Sequence, residues 1–170
     1  MSQFIINPYT KEAAVPEVLY DEQAGSTTGT NNADQRGFGN KILVGQTDLV
    51  GATLTKVGFR FKNLSGGTIT LGVWDNDSAT PSFTFGTITS TTSSFALYER
   101  ENLTGYTLSA DQIIAFKVSG TFTVSWERYN GGTGADPNVA AYYFNTPLSP
   151  NWQEAGDHQD LNMIVEGFPP

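Results

Sequence analysis

The chain carries a single histidine, His158, in the run Gly156-Asp157-His158-Gln159-Asp160. A histidine beside carboxylates is the raw material of a general base or a metal ligand. Its partners are missing. A catalytic triad needs a nucleophile on a strained elbow, and the sequence has no Gly-x-Ser-x-Gly, no cysteine and no second histidine. His158 therefore reads as a solvated loop residue. Carboxylates are the other reservoir, seventeen Asp and Glu in all. Glycoside hydrolysis would need two of them held across a cleft about 5 to 10 Å wide. Nothing in the spacing nominates such a pair, because the acids gather in turn-like runs, Asp75-Asn76-Asp77 and Asp157 to Asp160, where their side chains cap turns. Those two runs are also the only places where hard oxygen ligands for a structural calcium ion could converge, although neither has the loop pattern or the closing Glu of an EF-hand.

The glycine-rich pieces carry no phosphate chemistry. Arg36-Gly-Phe-Gly-Asn-Lys41 and Gly131-Gly-Thr-Gly134 lack the Gly-Lys-Ser/Thr ending of a phosphate-binding loop and precede no helix, so they read as turns. Three Asn-x-Ser/Thr sequons begin at Asn63, Asn76 and Asn102, as chance produces in a Thr-rich chain. With no cysteine there is no disulfide, thiolate or cysteine-held zinc. The expectation is a protein without catalytic residues, cofactor or bound metal, a structural calcium being the one ion its acidic turns allow.

Composition narrows the partners. The net charge is −8 with nine Lys and Arg in 170 residues, and such a field repels phosphate backbones and anionic lipid surfaces. Nucleic acid is thereby excluded as a partner. Membrane insertion is excluded because no apolar stretch reaches spanning length. The start MSQFIINPYTKEAAVP lacks the basic and apolar blocks of a secretory signal peptide. The protein is expected to act where it is made or to leave the cell inside a virus particle.

The elements that must position any site are strands. The stretch Thr53 to Asp75, TLTKVGFRFKNLSGGTITLGVWD, alternates Val57, Phe59 and Phe61 on one face, then Ile69, Leu71 and Val73 on one face of a second run. An Asn-Leu-Ser-Gly-Gly turn between them predicts a β-hairpin. A second hairpin is predicted where Ser119-Gly120 separates Ile114, Phe116, Val118 from Phe122, Val124, Trp126. Further strands are expected over Phe38 to Val44, Phe83 to Ile88, Phe95 to Leu103, Val139 to Asn145 and Leu161 to Phe168. Residues 24–35, AGSTTGTNNADQ, read as a linker. They divide the chain into an N-terminal arm and linker (1–35), with either an extended arm or an edge strand around Glu17 to Tyr20, and one sandwich domain (36–170). About eight strands without intervening helices describe an all-β, antiparallel two-sheet β-sandwich, jelly-roll-like, with an extended N-terminal arm. A fibronectin-like or immunoglobulin-like sandwich is the second choice, because those close in fewer residues.

Alternation sends Trp74, Tyr129 and one of Tyr142 or Tyr143, assigned as Tyr143, off the core face, and Trp152 lies in a Pro-Asn-Trp loop. Exposed rings stack on sugars or anchor protein interfaces. The runs Gly51-Ala-Thr-Leu-Thr-Lys-Val-Gly-Phe-Arg-Phe, Ile-Thr-Leu-Gly-Val-Trp-Asp and Asp160-Leu-Asn-Met-Ile-Val-Glu-Gly167, with Tyr142-Tyr-Phe and Trp152, resemble jelly-roll modules. Such modules occur in structural and attachment proteins of tailed phages and archaeal viruses, and in secreted carbohydrate-binding or surface-layer proteins. The resemblance spans residues 50–167 and implies a non-enzymatic virion structural protein, a capsid, decoration or fibre component. It would be located in the virion and assemble with copies of itself and other structural proteins through sandwich packing and its arm. The alternative it implies is a carbohydrate- or receptor-binding module, extracellular or at a cell surface, using Trp74, Tyr129, Tyr143 or Trp152 on a cell-surface glycan.

Overall fold

Two-residue alternation of Val, Ile, Phe and Tyr with Thr, Lys and Arg recurs along most of this chain, and each such run forms a strand. A computed structural model describes residues 13–23, 27–30, 35–63, 67–89, 92–120, 123–128, 136–145, 151–155 and 160–170. Their twelve strands are β1 (Glu17–Glu22), β2 (Thr27–Thr30), β3 (Gln35–Ile42), β4 (Thr53–Asn63), β5 (Thr68–Trp74), β6 (Phe83–Ile88), β7 (Ala96–Thr107), β8 (Ile113–Ser119), β9 (Val124–Arg128), β10 (Val139–Asn145), β11 (Trp152–Glu154) and β12 (Met163–Phe168). They build two antiparallel sheets that face each other as a β-sandwich. In one, β1 pairs β12, β12 and β7 take opposite edges of β4, and β9 continues along β4 beyond β12 with β2 outside it. The other runs β11-β10-β3-β8-β5-β6.

Eight of the strands account for the expected frame. They form two four-stranded sheets, β1-β12-β4-β7 and β3-β8-β5-β6, which is the double-sheet connectivity of a jelly roll. The other four, β2, β9, β10 and β11, extend the sheets away from β6 and β7. Two of them come from stretches that read as loops. β2 forms inside the apparent linker because Gly29, opposite Trp126, leaves room for the indole: a Cβ there would lie 2.6 Å from the ring. β11 forms where Trp152 finds a buried seat beside Phe144.

Neither predicted hairpin forms. β4 and β5 lie in opposite sheets, as do β8 and β9. Alternation reports which side chains share a face, and an arch that crosses the sandwich gives the same pattern as a hairpin that stays in one sheet. Val57, Phe59 and Phe61 therefore meet Ile69, Leu71 and Val73 across the core. Phe116 on β8 is its aromatic hub, with ring centroids 5.0 to 5.7 Å from Phe61, Phe59 and Phe38. The Arg36 to Lys41 run is a strand rather than a turn. Its glycines serve packing: at Gly37 a Cβ would sit 2.8 Å from the Trp152 ring, and at Gly39 it would sit 2.4 Å from the backbone oxygen of Ile114.

The N-terminal stretch takes its edge-strand form over 17–22, with a bulge between Val18 and Tyr20. Residues 1–12 lie outside the described residues. The β6 and β7 flank is closed by side chains: Arg100 Nε donates to the Thr87 carbonyl at 2.7 Å, and Asn102 Nδ2 to that of Thr84 at 3.1 Å.

Candidate functional site

The aromatic residues expected at a surface are distributed otherwise. Trp74 does point away from the main core, as its parity requires, yet it is fully buried. On that outer face Ile113, Ala115, Phe144 and Trp152 join it in a satellite cluster, with the two indoles 5.5 Å apart. Trp152 is 3% exposed and its backbone N–H donates to the Asn76 carbonyl at 3.0 Å. Neither ring stands exposed as expected, although Trp74 lies against a groove on this outer face. Both indole N–H groups are buried without a hydrogen-bond partner among the described residues. Tyr143 is half-buried against the main core, so Tyr142 is the member of the pair on the outer face. Tyr129 and His158 lie outside the described residues.

The acidic turns divide. Asp75 accepts hydrogen bonds from Gln112 Nε2 (2.8 Å) and Ser82 Oγ (2.7 Å), which hold its carboxyl below the usual range. It closes the β5–β6 turn against the β7–β8 turn, the capping role its sequence implies. Of the run 157–160 only Asp160 is described. No three of the described His, Asp and Glu residues gather closely enough to hold a metal ion. Among the sequon asparagines, Asn63 is fully buried and Asn102 is engaged with Thr84.

Among the described residues, two concave sites stand out. The first is a cleft of about 360 Å³ between the sheets among the added strands, within the size range of small-ligand pockets. Trp126 forms its floor, stacked on Phe38 with centroids 3.7 Å apart, so one face of the indole is occupied. Thr28 and Thr30 line one side and Tyr142 and Tyr143 the other. Arg128 also lines it, its guanidinium pushed down from the usual value by burial. The Tyr143 ring and a guanidinium beside an indole suit a small polar ligand with hydrogen-bond acceptors. No sequence signal marks this site, since Trp126 reads as a core residue and β2 as linker. The second is a groove of about 440 Å³ on the outer face of β5 and β8, walled by Ala79 to Pro81. There Lys117 donates to the Ala79 carbonyl and lies 3.8 Å from the Phe144 ring centroid, its amine pushed down by burial.

Beside the cleft lies a cluster of acids. Asp160, fully buried before β12, accepts the Asp136 backbone N–H at 2.7 Å through Oδ2, and its Oδ1 has no partner among the described residues. Burial, reinforced by Glu22 and Asp136, pushes its carboxyl up to about 7. Asp136 accepts from Gln46 Nε2 at 2.5 Å and from the Asn138 backbone at 2.8 Å. Tyr20 donates to Glu22, whose carboxyl is raised mainly by burial. Comparison of the chain with known protein families, with curated proteins and with solved structures finds no match.

Proposed function

We propose that this chain is a non-enzymatic virion structural protein, a capsid, decoration or fibre component that assembles with copies of itself and with other structural proteins. One observation carries the reading: the two flanks of the sandwich are treated differently. On the β6 and β7 flank, Arg100 and Asn102 occupy strand carbonyls that another chain would need. On the opposite flank β1 is an edge strand with no outer neighbour among the described residues, and Val15 and Val18 beside it are 80% and 55% exposed. An open edge next to exposed aliphatic side chains is the geometry for strand addition and interface burial. Sedimentation velocity over a concentration series tests this. Self-association is expected, weakened about tenfold or more by Val15→Asp with Val18→Asp, the loss of one interface anchor. A protein that stays monomeric at its highest attainable concentration, alone and with companion proteins of the particle, refutes the proposal.

The second reading, a carbohydrate- or receptor-binding module, is favoured by the cleft between the sheets, which Tyr143, Trp126 and Arg128 line. It moves the expected contact from Trp74 and Trp152 to Tyr143. A glycan array with no signal above background, or binding unchanged by Tyr143→Ala, counts against it.

A further inference from the structure

Three segments bring carboxyl groups to one place. β1 supplies Glu22 with Tyr20, the turn before β10 supplies Asp136, and the lead into β12 supplies Asp160. No ion pair to a cation meets their charges among the described residues. Of the ion pairs formed among the described residues, Lys41 pairs with Asp111, Lys56 with Glu99 and Glu166, and Arg60 with Glu127, all elsewhere. β9 packs nearby through the Arg128–Leu161 bridge. The hydrogen bonds satisfy Asp136 and one oxygen of Asp160, and leave Asp160 Oδ1 buried with no donor among the described residues. A buried carboxylate without donor or cation is costly, and a proton is the simplest remedy. The element that covers this site is also the least secured strand of its sheet. Among the described residues β1 pairs on one side only, is bulged at Val18 and Tyr20, and keeps no residue fully buried. Strands of that kind open at low free energy.

We propose that Glu22, Asp136 and Asp160 form a proton-dependent latch that keeps β1 on its own sandwich, and that unlatching frees the edge of β12 to take β1 from a second copy. The strand-exchange half rests on the assembly reading above; the latch does not. With a proton on Asp160 the site carries one negative charge fewer and β1 stays docked. Loss of that proton puts a second uncompensated charge under β1, and opening the strand lets water reach it. Docking is therefore tight in acid and loosens as the pH rises through neutrality.

Hydrogen–deuterium exchange of the full chain at about pH 5.5 and about pH 8, corrected for intrinsic exchange rates, reads the latch directly. Protection of the amides in 17–22 is expected to be about ten- to thirtyfold lower at the higher pH, the factor for one carboxyl whose proton affinity falls to the ordinary range on opening. Protection in β5 serves as the internal reference. Asp160→Asn, which keeps the acceptor for Asp136, is expected to remove the pH dependence and leave β1 protected at both values. Should that variant misfold, the wild-type comparison still decides: equal protection of β1 at the two pH values, or greater protection at the higher, overturns the latch. Light scattering on the same samples is expected to show oligomers at the higher pH. Opening without oligomers upholds the latch and overturns strand exchange.

Discussion

Trp74→Ala separates an interior ring from a ligand platform. If Trp74 stood on the surface to stack on a sugar or a neighbour, its removal would change stability by no more than about 0.5 kcal/mol. In the fold it is fully buried between Gly72, Trp152 and the satellite aliphatics. Truncating a buried tryptophan removes its transfer free energy and leaves a cavity, together about 3 to 5 kcal/mol. Against a total of roughly 5 to 15 kcal/mol for a domain, that leaves the variant close to its unfolding threshold. Trp74→Phe is the informative companion. It loses ring volume, at about 1 to 2 kcal/mol, but also deletes an indole N–H that is buried without a partner among the described residues, a gain of similar size. The phenylalanine variant should therefore lie within about 1 kcal/mol of wild type. Urea unfolding followed by far-ultraviolet circular dichroism measures both without relying on tryptophan fluorescence. Because the two indoles are 5.5 Å apart, the double variant with Trp152→Ala should cost less than the sum of the singles. A Trp74→Ala cost below about 1 kcal/mol with unchanged denaturant dependence would refute the satellite core.

Three other outcomes follow from the geometry. Asp160 titrates higher folded than unfolded, so its stabilising proton is fully bound below the unfolded value and is lost as the pH rises through about 7. Asp75 is depressed, so its contribution is present above the unfolded carboxylate range and vanishes in acid. Thermal melts should thus place the stability maximum near pH 4 to 5, with about 2 kcal/mol lost towards pH 8 in wild type and little of that loss in Asp160→Asn. Arg100→Ala with Asn102→Ala should cost about 1 to 2 kcal/mol and, by uncovering β6, raise the aggregation rate seen by light scattering. Gly29→Ala would drive a methyl group into the Trp126 ring, so a loss of about 1 to 3 kcal/mol in chemical denaturation and a displaced β2 are expected.

What could be read from the sequence was the face of each strand, and what could not was its neighbour. The inward placement of Val57, Phe59, Phe61, Ile69 and Leu71 follows from a period of two, which is local. Whether β5 turns back on β4 or crosses to the other sheet depends on partners far along the chain, such as β12 and β8, and no window around Asn63 contains them. Trp74 shows the same division: its outward parity was legible, but the ring that covers it comes from Trp152, seventy-eight residues further on. The cleft was illegible because β2 has almost no side-chain signal, being defined by the absence of a Cβ at Gly29. The acidic latch was hidden for a related reason, since Glu22, Asp136 and Asp160 are ordinary acids until the fold brings them together.

The position of β12 has a consequence for synthesis. This strand lies between β1 and β4, with Met163 and Val165 fully buried in the core. A chain made from its N-terminus therefore exposes β1 and one edge of β4 to the cell until residues up to Phe168 have left the ribosome. During that interval the sheet has a gap at its centre that other nascent copies can fill. Closure of this sheet therefore waits for β12 and is slow, because the strands that close it are those farthest apart in sequence. Delaying release of the C-terminal segment, for instance with an arrest sequence, should lengthen chaperone dependence far more than an equal delay placed before β8.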